Sequence, residues 1–268
     1  MTELDLLRIL LLASMLVGPF ATRYFSAPSR VFAVAYGGAL LCAAIGLFSS
    51  VSILCVAWLV FTAASFALFL RSRASSLFSP GVLAACVPFL FSNIAAVWIV
   101  GGSNNLHILG YGIEFSYYAA LHGNVLGWIL LGALAILANH PNRERWIHLG
   151  AMFIGFGSFL LLAVGIDQLR ALKPLGIAGL SVALPSSQLV FLRGVWSRNR
   201  WAFAAGGVSF AVLVLTMVLA WRNEVVTPVF VGVLGIRGMV SVHGVLNTVI
   251  VAPLFLLAVW LDVRRPLR

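Results

Sequence analysis

The sequence predicts an all-α protein, a polytopic transmembrane helical bundle of eight to nine helices in a single integral membrane domain spanning residues 1–268, and three observations predict it. Of the 268 residues, 62% are hydrophobic and only 9% are charged, whereas a soluble globular domain carries about 25% charged residues. Mean hydropathy is +1.08. The 17 Lys and Arg residues stand singly or in twos and threes between apolar runs, the placement of membrane-flanking anchors. A net charge of +10 would point to nucleic acid in a soluble domain. Here no basic run is interleaved with aromatics, so nucleic acid is not an expected partner.

A membrane-spanning helix needs about 20 apolar residues, and punctuation by Pro, Gly and Arg marks nine: 4 to 20, 31 to 48, 51 to 70, 80 to 100, 113 to 139, 145 to 165, 174 to 195, 201 to 221 and 238 to 262. The first is short, is interrupted by Arg8, and carries Glu3 and Asp5 where a secretory signal carries basic residues. It is read as a retained helix. The second and third meet around Ser49 and Ser50 so tightly that they should form an antiparallel hairpin. Gly101 to Gly112 reads as a loop by its Gly and Asn content. Asp167 and Arg170 have the i, i+3 spacing of a helix-surface ion pair. The apolar middle of the connection from Trp221 to Gly238 is expected to dip into the interface. His140 and His148 stand beside Arg143, Glu144 and Arg145 and read as solvated. Trp98, Tyr111, Tyr117, Trp128, Trp221 and Trp260 fall near helix ends, where interfacial belts form. Cys42, Cys55 and Cys86 lie in separate apolar segments without CxxC spacing, so neither a disulfide framework nor a zinc site is indicated.

The polar residues inside the spans carry what chemistry the sequence offers. Glu114, Tyr118 and His122 follow one another at i, i+4 and i+8 in the fifth span, which places an acid, a phenol and an imidazole along one stripe. His243 and Asn247 share a face of the ninth span, where Gly244 permits close approach and Pro253 frees the carbonyl of Val249 and should kink the helix. Ala120 to Gly123 (ALHG) and Ser241 to Gly244 (SVHG) each put a His-Gly pair in a span of the same direction. By helical rise the two imidazoles lie roughly 13 Å and 8 Å below the outer surface, which suggests that they face one cavity. Ionisable residues in a membrane segment default to a functional reading. Burial is expected to raise the Glu114 pKa toward the imidazole range, so Glu114, Tyr118, His122, His243 and Asn247, with Asp167 nearby, form a candidate acid–base set. No metal site and no cofactor are expected, because no HExxH or His-rich tract occurs. Two histidines could still form an axial pair.

The runs LGYGIEFSYYAALHGNVLGW (Leu109 to Trp128), RERWIHLGAMFIGFGSFLLLAVGI and GMVSVHGVLN (Gly238 to Asn247) together resemble the YndJ-like bacterial integral membrane family. That family pairs a His-x-His-Tyr-x-Gly-Phe helix with a later Thr-His-Gly-x-x-Asn-Ala helix. The resemblance covers roughly residues 80 to 262, and His122, Gly127, His243, Gly244 and Asn247 fall on the motif. Asn124, Val125 and Trp128 stand where the motif has its second His, its Tyr and its Phe. The resemblance implies a bacterial membrane bundle and no particular activity.

The expected function is therefore a membrane-embedded acid–base enzyme of isomerase, cyclase or hydrolase type. Its partners would be the lipid bilayer and a lipophilic small-molecule substrate such as an isoprenoid or polyketide, and a homo-oligomer is left open. The competing expectation is a small permease or ligand-binding membrane protein that uses the same residues for binding or proton relay. Alternating connections carry twelve and five Lys or Arg residues, which places the chain in the inner (plasma) membrane with a cytoplasmic C-terminus and an external N-terminus. A reporter fused to the C-terminus should behave as cytoplasmic and a tag at Asn104 as external. The reverse labelling would overturn the alternation.

Overall fold

A computed structural model describes residues 1–26, 29–141, 144–225 and 236–264, without the side chain of Asp167. Among the described residues no strand occurs, and nine helical stretches are long and apolar enough to cross a membrane, from Glu3–Arg23 to Met239–Val263. The chain is an all-α, multi-pass membrane protein. Packing divides it into two compact units, Met1–Ile129 and Leu130–Arg268.

The first unit begins with α1 (Glu3–Arg23), three residues longer at its end than the apolar run suggests. Thr2 and Asp5 close a capping box, with Thr2 N–H donating to the Asp5 carboxylate at 2.8 Å and Asp5 N–H to the Thr2 hydroxyl at 3.1 Å. Helix α2 (Arg30–Phe48) is capped by Ser29 and turns through a 3₁₀ segment, Ser52–Cys55, into α3 (Val56–Ser72). This is the expected hairpin, and its tightness has a cause. A side chain on Gly46 would meet Cys55 Sγ at 2.7 Å.

Helix α4 (Pro80–Ser103) starts at Ser79 and Pro80, as helix N-termini favour, and runs on through Gly101 and Gly102. The loop expected from Gly101 therefore begins at Asn104. Glycine fits at both positions because Ile108 and Tyr117 occupy the space a Cβ would need. In the connection that follows, Asn105, His107 and Leu109 hold left-handed backbone angles, φ 54°, 47° and 52°, a conformation that is uncommon for residues other than glycine.

The fifth span is composite. It consists of α5 (Ile113–His122), a π-helical stretch from Gly123 to Leu130, and α6 (Leu131–Asn139), which belongs to the second unit. Gly123 and Gly127 face α4, where Ala95 and Phe91 fill the positions their side chains would take, a small-residue seam of the kind that joins helices in lipid. Trp128 is 2% exposed, with Gly18 of α1 against its ring and Trp58 at 5.9 Å. Trp128 and Tyr117 are thus core residues and not part of an interfacial belt. A glycine or a small helix surface opposite each ring gives it room inside the unit.

In the second unit α7 (Arg145–Asp167) and α8 (Leu172–Val195) form the closest pair. Gly176 leaves space for the backbone of Ser158 and Leu162, within 2.7 Å of where its Cβ would stand, and Gly179 does so for the Ser158 side chain. Helix α9 (Arg200–Val225) packs on the ninth span, which is π-helical over Met239–Gly244 and Leu246–Val251 before becoming α10 (Ala252–Val263). Pro253 lies in the first turn of α10, where a missing N–H is tolerated. Ser209 donates to the Val251 carbonyl at 2.8 Å. Ion pairs close both ends of this unit: Lys173 with Glu224 at one, and Arg198 with Asp262 at 2.7 Å at the other. The apolar connection expected to dip into the interface lies outside the described residues, as does the Asp167 side chain on which the i, i+3 pair depends.

The Trp128 packing sets a test. Gly18→Leu drives a side chain into the indole, whereas Gly37 has nothing within 4 Å of its Cβ position. Gly18→Leu should destabilise the purified protein by about 1–3 kcal/mol, the usual cost of overpacking, and Gly37→Leu should leave its thermal midpoint in detergent unchanged. Equal midpoints for the two variants would refute the packing assignment.

Candidate functional site

The residues singled out in the sequence divide between the units: Glu114, Tyr118 and His122 in the first, Asp167, His243 and Asn247 in the second. Each group is built within its own unit.

In the first unit the fifth span is the most covered helix of the protein, with 94% of its most apolar window buried against 22 to 56% in the other spans. From Phe115 to Ala138, His122 is the one exposed residue. Its Nδ1 lies 2.9 Å from the Tyr118 carbonyl. A carbonyl only accepts, so this nitrogen carries the hydrogen and Nε2 keeps its lone pair in the neutral ring. The π-helical stretch starts at the next residue, Gly123. Wider turns of this kind occur frequently at functional sites. Here the turn carries the chain from an exposed imidazole to Asn124, which is fully buried.

The acid that joins the stripe was not foreseen. Tyr118 Oη donates to the Glu3 carboxylate in a short hydrogen bond, so the phenol is paired with α1, 115 residues away. Glu114 is exposed in the first turn of α5, where a negative charge suits the helix dipole, and the burial expected of it is not found. One helical turn along α1, Arg8 lies 3.8 Å from Asp5 and faces the buried Tyr117. Deeper in, Asn124 Nδ2 donates to Ser14 Oγ at 2.9 Å, and Ser14 donates to the Leu11 carbonyl at 2.7 Å. Asn124 Oδ1 is buried with no protein partner. Glu3 and Ser14 escaped the sequence reading because only α1 packing on the fifth span brings them there.

In the second unit His243 Nδ1 donates to the Thr216 carbonyl of α9 at 3.0 Å. Asn247 donates to the His243 carbonyl at 2.8 Å and faces the Thr216 hydroxyl at 3.2 Å. The expected pairing of His243 and Asn247 on one face is present, tied together through Thr216. This histidine also lies in a π-helical stretch, so both His-Gly pairs stand at the same irregularity.

His140 and His148, expected to be solvated, are buried. His148 is 1% exposed with Nδ1 2.7 Å from Ser187 Oγ, and His140 is 9% exposed. Flanking charges at residues 143 to 145 suggested water, but the first turn of α7 presents His148 to α8. His140 sits between spans, and burial pushes its pKa below the usual imidazole value, with Asp262 opposing and Arg198 reinforcing that shift. Among the described residues no group of three His, Cys, Asp or Glu side chains is arranged to hold a metal ion. No protein-family model, no curated protein and no solved structure matches this chain.

The His140 environment sets a pH dependence. With the folded pKa below the unfolded value of about 6.5, the unfolded chain binds the proton first. Stability from this group is therefore present above about pH 6.5 and is lost as pH falls toward and through the folded value. The thermal midpoint should decline from pH 7 to 5 more steeply in the wild type than in His140→Asn. Parallel declines would contradict the assignment.

Proposed function

We propose that the protein is a membrane-embedded acid–base enzyme of isomerase, cyclase or hydrolase type that acts on a lipophilic small molecule such as an isoprenoid or polyketide. The observation that carries this reading is His122, an exposed imidazole inside the most covered helix of the chain. An ionisable side chain exposed at that depth is costly unless it serves a site. Its Nε2 is the base that takes a substrate proton, and the Tyr118 phenol, held by the Glu3 carboxylate, is the acid that gives one back, the proton on the imidazole returning to the phenolate when product leaves. The general-acid role expected of Glu114 passes to this pair. His243 and Asn247 form a second polar set. The site lies in the outer half of the bilayer of a bacterial inner membrane with the C-terminus cytoplasmic, on the Lys and Arg distribution. The motif residues His122, Gly127, His243, Gly244 and Asn247 support a relation to the YndJ-like bacterial integral membrane family.

A second reading, a small permease, is favoured by one observation: the fifth and ninth spans both depart from α geometry inside the membrane. Transporters place irregular backbone where it lines a cavity.

Replacement of His122 by Ala or Tyr118 by Phe should lower turnover of the host's lipophilic substrate by about 10²-fold or more, the usual contribution of general acid–base catalysis. Protein level should change little, because a hydrogen bond in a membrane averages about 0.6 kcal/mol. The double variant should cost little more than either single change, since residues of one catalytic unit are non-additive. Additive losses that track protein abundance would refute the catalytic assignment. Solute flux into proteoliposomes that is abolished by His122→Ala, with no chemical change in the solute, would favour the permease.

A further inference from the structure

We propose that the groove between the end of α1 and the start of α2 holds one anionic phospholipid, its upper acyl chain against the apolar wall and its headgroup phosphate on Arg23. The groove encloses about 160 Å³ and is walled by Pro19, Phe20, Phe32 and Ala33, with Tyr36 beside them. Tyr36 is held in place by donating to the Leu16 carbonyl at 3.1 Å, so its ring stays in the wall. At the mouth stand Arg23 and two hydroxyl residues, Ser26 and Ser29. The lining is therefore amphipathic in one direction, apolar along the helices and cationic at their ends, which is the polarity of a lipid.

Charge complementarity selects the anionic kind. Arg23 is exposed and makes no ion pair with an acid among the described residues. No acid is near in sequence either, because no Asp or Glu occurs from Leu6 to Ile113 while Arg8, Arg23, Arg30, Arg71 and Arg73 do. Four of those five stand where α1 and α3 end or α2 begins. Helix α2 has no acid in its first turn and begins with Arg30, so its positive end is also uncompensated. Basic pockets between helices at a membrane surface bind anionic headgroups, with about 1 kcal/mol, or roughly fivefold in affinity, from each Lys or Arg. Arg23 differs from Arg71 and Arg73, which are exposed and do not line the groove.

The test uses the full chain, stripped of lipid in neutral detergent and examined by native mass spectrometry with phosphatidylglycerol and phosphatidylcholine of the same acyl chains. One phosphatidylglycerol should be retained, preferred over phosphatidylcholine by about fivefold or more. Arg23→Gln should reduce the preference by about fivefold, Arg23→Lys should keep it, and Ala33→Phe, which fills the wall, should weaken both lipids. The Arg71→Gln, Arg73→Gln double variant should leave the preference in place. Thermal midpoints of the variants provide the folding control, and should Arg23→Gln fail to fold, Arg23→Lys and Ala33→Phe still decide. A wild type without preference, an Arg23→Gln protein that keeps it, or inorganic phosphate at equal concentration displacing the lipid would each overturn the proposal.

Discussion

The first unit depends on the seam between α1 and the fifth span. Three contacts run along it in order: Tyr118 donates to Glu3, Asn124 to Ser14, and the Trp128 ring covers Gly18. The residue numbers rise together on both sides, so the two helices run parallel, as two odd-numbered spans must. In hydrocarbon no hydrophobic force pulls helices together, and association rests on close packing and hydrogen bonds. The seam supplies both. Gly18 admits the indole, the indole reaches Trp58 of α3 at 5.9 Å, and the Asn124 amide finds an acceptor in the buried Ser14 hydroxyl. The helix that looks least like a membrane span, with Arg8 and two acids near its start, is the one that bonds the Tyr118 hydroxyl and the Asn124 amide of the span most deeply covered.

How much of this was readable in advance follows from what each property depends on. Span number and the α2–α3 hairpin follow from local composition and from the shortness of the link at Ser49, so the sequence carries them directly. The π-helical stretches do not, because an i→i+5 turn has no composition of its own, and GNVLGWIL reads as ordinary apolar helix. The Tyr118–Glu3 bond joins residues 115 positions apart, and nothing in periodicity ranks Glu3 above Glu114 as the partner. The histidines failed in the opposite direction. His148 was assigned to water because its neighbours in sequence are charged, but one helical turn of rotation puts it against Ser187 at 2.7 Å. Spacing along a helix names the face a residue shares. Whether that face is covered depends on the helices around it.

The units also differ in how their cations are compensated. In the second, Lys173 meets Glu224 and Arg198 meets Asp262, whose carboxylate side chain is only 5% exposed. These pairs tie helix ends together, α8 to α9 and the α8–α9 connection to α10. In the first unit the acids cluster at one end, with Glu3 and Asp5 at the start of α1 and Glu114 at the start of α5, and the arginines at the opposite helix ends have no acidic counterpart. The sorting follows from the bilayer: charge is tolerated only near its surfaces, so a cation at one surface cannot be neutralised by an acid at the other.

At the exposed imidazole, backbone geometry and chemistry depend on each other. A neutral histidine has two tautomers, and a base of defined direction needs one of them fixed. The Tyr118 carbonyl fixes it at His122 and the Thr216 carbonyl at His243. In each case a backbone acceptor makes the choice, and a backbone carbonyl neither titrates nor needs a counter-charge in a medium of low dielectric. The π-helical stretch that follows His122 and the one that contains His243 add the second requirement. In a regular helix, residues three and four places on from an exposed position return to the same side, so an opening at His122 would extend along the span. At His122 the residues three and four places on, Val125 and Leu126, lie in that wider turn and are covered, so the exposure is confined to a single residue. A span can thus remain sealed by its neighbours along nearly its whole length and still present one oriented nitrogen.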